Sequence, residues 1–434
     1  MISDRIAANQ NGLKAAAGLI LVIFLVWVLY YVIKKILRNR SNLASPGNIL
    51  TIQKQQKILL DTRWSSGLQS KQGLSSQFSK TPQPQQLLIN ASVFSTRLTG
   101  FLGPYDSGVF DEDNATRLAL STGSRCLILE IDYENHIYAP KLIYRDGWGM
   151  RHSLNNGSIN KVAKSIAARA FTPQNDGVPP SVAQDPLFVV LYFVRSPKQG
   201  TEKLEYMRYL GAVAEQLAPI KDLLLAQTPQ GDYRRQALES QLFFTDYRAF
   251  QNKIILLTNA DTSGFRNLQA LGLAGELGRN QDLDFMTHVR LYARESPSNF
   301  GITGSPSSSV KPAAVITSPG YWLSTPTDRA SSAIELTKEA WTLVMQPVST
   351  PTNQPDKKTL DSLFTTYGVQ SIPTTLFADP ISTDEFTSKD KIFNSSPWAA
   401  KPLLIQYVPP KPIPIQNPYP QANSGGGAVV APKI

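Results

Sequence analysis

An uninterrupted apolar run near the start of the chain constrains its architecture more than any other feature. Residues 15–33 read AAAGLILVIFLVWVLYYVI and carry no charge. A helix needs about 20 apolar residues to cross the hydrocarbon core of a bilayer, and rings such as Trp27 and Tyr30 favour its headgroup level. The run therefore predicts a transmembrane helix. A cleaved signal peptide is the alternative, but no cleavage site of small residues follows the run.

Basic residues after the run set its expected orientation. Lys34, Lys35, Arg38 and Arg40 follow it directly, whereas residues 1–14 form a short flank of low charge. Positively charged flanks stay on the cytosolic side, so we predict a single-pass protein whose large C-terminal part is cytosolic. The same four cations predict attraction to anionic lipids at the membrane surface.

The net charge of +10 is concentrated next to this run. Residues 34–85 contain nine lysines and arginines but only one acidic residue, Asp61, and they are rich in Gln and Ser. They predict a polybasic linker with a short helix near residues 49–60. Because the rest of the chain is nearly neutral, no nucleic-acid partner is expected. Residues 409–434 predict a Pro/Gly-rich disordered tail that could bind a protein partner.

Buried strands alternate with helical patterns over residues 86–408. The runs FVVLYFV and KIILLTN lack period-two alternation, which is typical of parallel strands buried on both faces. About eight such strands with helices between them favour an α/β fold of the TIM-like (β/α)8 barrel type, with a doubly wound open sheet as the alternative. The predicted strands are Leu87–Ser92, Arg125–Asp132, Lys141–Arg145, Leu187–Val194, Lys253–Asn259, Val289–Tyr292, Trp341–Gln346 and Ile372–Phe377, and the predicted helices are Asn114–Ser121, Ser158–Phe171, Thr201–Gln227, Thr262–Leu277, Ser331–Glu339 and Leu360–Tyr367.

Short motifs occur in a fixed order along this part of the chain. Residues 93–100 read VFSTRLTG, residues 129–132 read LEID, residues 140–144 read PKLIY and residues 368–370 read GVQ. In this order the segments resemble both halves of the catalytic barrel of phosphoinositide-specific phospholipase C. The resemblance implies a barrel of that type and, in an active member, a phosphodiesterase that uses two histidines and a calcium ion.

Neither histidine of that family is present at the matching positions. The resemblance places Phe94 at the first histidine position and Arg145 at the second. A phenyl ring cannot transfer a proton, and arginine stays protonated at neutral pH. Of the calcium ligands only Glu130 and Asp132 remain, and the fourth-strand carboxylate matches Tyr192 or Phe193. We therefore predict a pseudoenzyme without catalytic residues or cofactor.

A divergent active enzyme is the main alternative to a pseudoenzyme. His152 lies in the loop GWGMRHSLNNG after the third predicted strand and is the fallback catalytic residue. An enzyme of this kind would use His152 with the carboxylates Glu130 and Asp132, and it would require calcium.

Three arginines favour a binding function. Arg97, Arg145 and Arg151 are candidates to hold a phosphate or lipid headgroup at the barrel mouth. The predicted function is thus a membrane-anchored, inactive phospholipase C-like barrel that binds anionic headgroups or acts as a protein scaffold. A purely architectural membrane protein is a further alternative. The combination of tether, altered barrel and Pro-rich tail also suggests a membrane protein of a large DNA virus.

Overall fold

The structure, a computed structural model, describes most of the chain between residues 14 and 410. The described residues are 14, 17–32, 34, 43–64, 72–134, 139–145, 149–173, 178–225, 233–305, 311–324, 330–347, 356–377, 392–393 and 396–410. The predicted lipid contacts Lys35, Arg38 and Arg40 lie outside them. So does nearly all of the predicted Pro/Gly-rich tail, of which only residues 409–410 are described.

Eight parallel strands close into a barrel. The strands of the chain are β1 (Ala91–Thr96), β2 (Phe101–Gly103), β3 (Val109–Phe110), β4 (Cys126–Asp132), β5 (Lys141–Leu142), β6 (Leu187–Phe193), β7 (Ile254–Thr258), β8 (Val289–Ala293), β9 (Ala314–Thr317), β10 (Trp341–Val344), β11 (Ser371–Thr374) and β12 (Trp398–Ala400). Parallel pairing runs from β1 through β4 and then from β6 to β11, and β11 pairs with β1 again. This closure confirms the barrel prediction over the open sheet, because an open sheet leaves two unpaired edges.

Helices precede the barrel and alternate with its strands. They are α1 (residues 17–32), α2 (Pro46–Trp64), α3 (Leu74–Gln77), α4 (Glu112–Ser121), α5 (Ile159–Arg169), α6 (Lys203–Gln216), α7 (Tyr233–Leu238), α8 (Leu283–Met286), α9 (Pro319–Leu323), α10 (Ala330–Glu339) and α11 (Lys357–Thr365). α4 shows how local sequence starts a helix: the Asp111 side chain accepts a hydrogen bond from Asn114 N, and two acidic residues fill the first turn.

Three predicted elements differ from the structure, and one barrel strand was not predicted. Most of the predicted strand Leu87–Ser92 is a 3-10 helix, Leu88–Asn90, and β1 begins at Ala91. Residues 141–145 do not form a barrel strand, because β5 is a two-residue strand antiparallel to β4. β9 is a barrel strand that the sequence analysis missed. Residues 262–277, predicted as a helix, contain a single short 3-10 helix, Ser263–Asn267, followed by turns.

Alternate residues of the barrel strands face two separate cores. Val93, Ile128 and Val190 belong to a cluster drawn from seven of the eight barrel strands, which is the barrel interior. Leu129 and Leu191 face outward and pack against the surrounding helices. This alternation follows from the pleat of a β-strand, and it decides which side chains reach the barrel mouth.

The segment before the barrel is helical and partly attached to it. Within α2, Leu60 and Trp64 are buried, and the Trp64 indole donates to Leu376 O. Asp61 pairs with Arg117 of α4 at 2.6 Å. The linker prediction for residues 34–85 is therefore corrected for α2, since Leu60 and Trp64 at the C-terminal end of this helix pack on the barrel.

The apolar helix α1 differs from α2 in the exposure of its side chains. Its large apolar residues from Leu19 to Val32 are exposed, apart from the half-buried Val28. Within the described residues, no helix combines the length and the apolar composition that crossing a bilayer requires.

Candidate ligand site at the barrel mouth

A buried ion pair lies at the carboxyl ends of β1 and β4. Arg97 follows β1, and it donates from Nε to Glu130 Oε1 at 2.8 Å and from Nη2 to Oε2 at 3.1 Å. Both side chains are only 5% exposed. Burial opposes the charged form of Arg97, but the Glu130 carboxylate outweighs it and raises the pKa of the guanidinium. Glu130 is thus held by a permanent cation.

A second carboxylate, Asp132 at the end of β4, is held by two arginines. Arg195 donates to both of its oxygens, each at 2.7 Å, and Arg145 donates to Oδ2 at 2.7 Å. The hydrogen bonds to Asp132 raise the pKa of Arg195. Arg195 was missed by the sequence analysis, although it is the first charged residue after the buried run of β6.

A third carboxylate completes the cluster at the rim. Glu134 accepts a hydrogen bond from Arg145 at 2.6 Å and lies 3.5 Å from Arg151. Arg151 also donates to Asn156 Oδ1 at 2.6 Å. The structure therefore brings the three arginines expected from sequence into one region. With Arg195, four guanidinium groups meet three carboxylates there, which leaves one net positive charge.

Phe94 does not face this site. Its side chain is buried in a cluster outside the barrel with Trp322 and Leu363, and its ring packs edge-on against Phe393 with 6.1 Å between centroids. The neighbouring Ser95 faces inward instead, where its hydroxyl lies 2.6 Å from that of Ser371. The expectation that Phe94 occupies the histidine position at the mouth is therefore corrected, because the strand's alternation turns it away.

His152 packs in the loop region beside the mouth. Its ring lies 5.1 Å from that of Tyr105 and 5.2 Å from that of Tyr144, and its Nδ1 is 3.5 Å from Asp106. The two carboxylates of the expected enzyme have arginines as their ion-pair partners instead. These contacts give His152 a packing role.

The described residues do not fit a calcium ion. Calcium takes about six to eight oxygen ligands in proteins, and here the oxygens of Glu130 and Asp132 accept hydrogen bonds from guanidinium groups. Tyr192 stands where a further carboxylate is expected, and burial raises the pKa of its phenol. Among the described residues, no group of three or more His, Cys, Asp or Glu side chains could hold a metal ion.

Comparisons with known proteins identify the fold of the barrel. No protein-family model matches the chain, and no curated protein matches it. Solved structures do. The structure of PLC21 from S. officinalis matches with a TM-score of 0.50 and 13% identity, over 76% of this chain and 40% of that chain. This chain contains a phospholipase C-like barrel.

Two further structures resemble the phospholipase C-like barrel. PLC21 from L. pealei has a TM-score of 0.49 and 12% identity, over 76% of this chain and 40% of that chain. A calcium-dependent phosphoinositol-specific phospholipase C from Pseudomonas sp. has a TM-score of 0.41 and 13% identity, over 70% of this chain and 96% of that chain. This chain spans about two fifths of the two PLC21 chains. At 13% identity, the likeness to the S. officinalis structure shows a fold and no activity. It lends no support to a viral origin.

Proposed function

We propose that the protein is a membrane-anchored phospholipase C-like barrel that binds a phosphate-bearing headgroup without hydrolysing it. The observation that carries this proposal is the pairing of Glu130 and Asp132 with arginines. A guanidinium supplies positive charge where a metal ion would supply it, but it does not coordinate a hydroxyl oxygen, so it lowers the pKa of a bound hydroxyl less than a metal ion does.

Hydrolysis of a phosphodiester needs a group that takes a proton and returns it. Arginine is a poor candidate, because it remains protonated at neutral pH. The four arginines of the mouth can therefore bind and orient a phosphate, but they offer no general acid or base. This chemistry supports a binding module rather than an enzyme.

Binding is supported by how the arginines are held. Arg195 is 46% exposed while its Nε and Nη2 are anchored on Asp132. The remaining edge of its guanidinium is therefore presented to solvent in a fixed orientation. Such preorganisation reduces the conformational entropy lost on binding. Planar guanidinium groups also match the oxygens of a phosphate in pairs. The excess of one positive charge favours an anionic ligand.

Membrane anchoring is part of the proposal and rests on the sequence. Residues 15–33 are uncharged, and the basic residues that begin at Lys34 and Lys35 would keep the barrel on the cytosolic side. In this arrangement the headgroup at the mouth would belong to a lipid of the same membrane, and the four juxtamembrane cations would add attraction to anionic lipids.

The decisive experiment measures binding and turnover on one preparation of the full chain in detergent micelles. A water-soluble, short-chain phosphatidylinositol bisphosphate is the ligand, with calcium present or absent. We expect saturable binding but no release of inositol phosphate in either condition. Arg195→Gln should weaken binding by about tenfold or more, since a hydrogen bond to a charged group contributes about 1.5–3 kcal/mol.

Arg208→Gln is the matched control. Arg208 is 47% exposed and pairs with Glu276 at 2.9 Å, so it has the same exposure as Arg195 but lies outside the mouth cluster. Its replacement should leave binding unchanged. Calcium-dependent release of inositol phosphate that His152→Ala abolishes would instead establish the divergent enzyme. Absence of any headgroup binding would favour the architectural alternative.

A further inference from the structure

The outer face of β8 is polar, unlike that of the neighbouring strands. All residues of the neighbouring strands β7 and β9 are buried, whereas β8 alternates between buried residues and the half-buried Arg290 and Tyr292. Between β8 and β9 the described residues contain only a short 3-10 helix, Pro297–Phe300. This part of the barrel wall thus carries charged side chains where other strands carry apolar ones.

A cavity of about 270 Å³ lies against this wall. We call it the outer-wall cavity. It is bordered by the loop after β7, by the residues that lead into β8, and by the start of β9. The charged and hydroxyl side chains that line it include those of Asp261, Thr262, Arg266, Asp284, Arg290 and Lys311. None of these residues belongs to the mouth cluster.

Asp284 fixes two guanidinium groups at the cavity. Its buried carboxylate accepts hydrogen bonds from Arg266 at 2.9 and 3.1 Å, from Thr262 Oγ1 at 2.7 Å, and from Arg234. One carboxylate therefore holds two cations, and the surplus charge is positive. Arg266 is about half exposed, so it can offer its outer edge to a ligand without leaving Asp284.

Arg290 carries an unused donor at the same cavity. Its Nη1 pairs with Asp261 at 3.1 Å and its guanidinium stacks over the Tyr292 ring at 4.8 Å, but its Nε is buried without a hydrogen-bond partner. The Thr287 hydroxyl, which also lines the cavity, is buried and unpartnered as well. Both residues line the cavity, and buried polar groups are nearly always hydrogen-bonded, so these two unpartnered donors favour a ligand that brings an acceptor to this wall.

We propose that the outer-wall cavity binds a small phosphate-bearing anion, independently of the barrel mouth. The cations come from different sides: Arg266 from the loop after β7, Arg290 from β8, and Lys311, which also pairs with Glu339 at 3.0 Å, from the residues before β9. Donors that converge in this way suit a tetrahedral oxyanion better than a planar carboxylate. The cavity lies at the small end of ligand pockets, which measure about 300–1,000 Å³, so the ligand is phosphate or a small phosphate ester.

The test is calorimetric titration of the full chain in detergent micelles with inorganic phosphate at constant ionic strength, with acetate as the planar comparison. We expect saturable phosphate binding that is stronger than acetate binding. Arg290→Gln should raise the dissociation constant by about tenfold or more, because a charge-assisted contact is lost. Thr287→Val removes only the unpartnered hydroxyl and keeps the ion pair of Arg290, so it should weaken phosphate binding without a loss of fold.

Two controls separate this site from other cations. Arg248→Gln changes a half-exposed arginine that pairs with Asp246 outside the cavity, and Arg195→Gln changes the mouth. Arg248→Gln should leave phosphate binding unchanged, and Arg195→Gln should leave unchanged the component of phosphate binding that Arg290→Gln weakens. Retained affinity in both Arg290→Gln and Thr287→Val, or no saturable binding in the wild type, would overturn the proposal.

Two competition measurements identify the source of the phosphate group. The first uses glycerol 3-phosphate as a soluble ester, and the second uses vesicles that contain a phosphatidylinositol monophosphate. Competition by the soluble ester indicates a free metabolite, and competition by vesicles alone indicates a lipid headgroup. Failure of both ligands to compete with phosphate would contradict a site for phosphate esters, while headgroup binding at the mouth would be unaffected.

Discussion

The Arg97–Glu130 pair makes the mouth sensitive to single substitutions. Both charges are almost fully removed from water, so deleting one of them leaves the other buried without a partner. We expect Arg97→Met to lower the free energy of unfolding by about 3–5 kcal/mol. The double variant Arg97→Met with Glu130→Met should recover most of this loss, because an apolar pair of similar volume carries no desolvation penalty.

Urea unfolding of the two single variants and the double variant measures the coupling between the two residues. The exposed pair of Arg235 and Glu239, which lie 3.1 Å apart, is the control, and its loss should have little effect. Losses that simply add in the double variant would show that the buried pair does not act as a unit.

Lys401 predicts a dependence of stability on pH. Its amine is buried and donates to Thr337 O at 2.7 Å, and burial, with a contribution from Lys338, lowers its pKa well below the ordinary value. The unfolded chain therefore binds a proton that the folded chain does not. The free energy of unfolding should rise with pH up to the ordinary lysine pKa of about 10.4.

Lys401→Met removes this pH dependence because the methionine side chain cannot be protonated. Relative to wild type, the variant should gain most thermal stability near neutral pH, and the gain should shrink as the pH approaches about 10. Thermal unfolding at a series of pH values measures the difference. Lys338→Met, on the neighbouring helix α10, should keep the wild-type slope. If the difference in thermal stability between Lys401→Met and wild type stays constant with pH, the Lys401 amine is charged in the folded protein.

The residues of the mouth could be predicted only in part. The order of the motifs selected Glu130, Asp132 and Arg97, because each lies where a buried strand ends. It could not assign Phe94 to a face, since barrel strands are buried on both sides and show no period-two alternation. A shift of one residue then exchanges the interior for the exterior. The pairing of Arg195 with Asp132 needs the three-dimensional neighbourhood of β4 and β6.

At the scale of elements, α2 shows what local sequence can and cannot reveal. The apolar spacing near residues 49–60 predicted a helix, and α2 covers them. Its attachment was not predictable, because the partners on β2, β3 and α4 are distant in sequence. β9 was missed for a different reason: four residues between Pro312 and Pro319 are too few to show a period.

Adjacent leucines of α2 provide a matched test of its attachment. Leu60 is fully buried against the barrel, whereas Leu59 is 53% exposed. Leu60→Ala should lower the free energy of unfolding by about 2–5 kcal/mol, the usual cost of a cavity in a packed core. Leu59→Ala should have little effect on the same urea unfolding curve. Equal effects would mean that α2 does not pack on the barrel in solution.

At the scale of the whole molecule, barrel closure follows from how the strands are buried. Seven of the eight barrel strands could be assigned from sequence in position or in part, and their alternation with helices required a parallel sheet covered on both faces. What the sequence could not show is the pairing of β1 with both β4 and β11. That pairing decides between a closed barrel and an open sheet, and it brings the ends of β1 and β4 together at the mouth.

The last prediction concerns the relation of the whole chain to a membrane. If residues 15–33 anchor the protein, two arginines near their centre should prevent insertion, since each costs about 2.5–3.5 kcal/mol at the middle of a transmembrane helix. The double variant Leu21→Arg with Leu25→Arg should therefore move from the membrane pellet to the supernatant after an alkaline carbonate wash. Leu404→Arg, at a residue that is 94% exposed on the barrel, should stay in the pellet. Retention of the double variant in the pellet would contradict anchoring by this run.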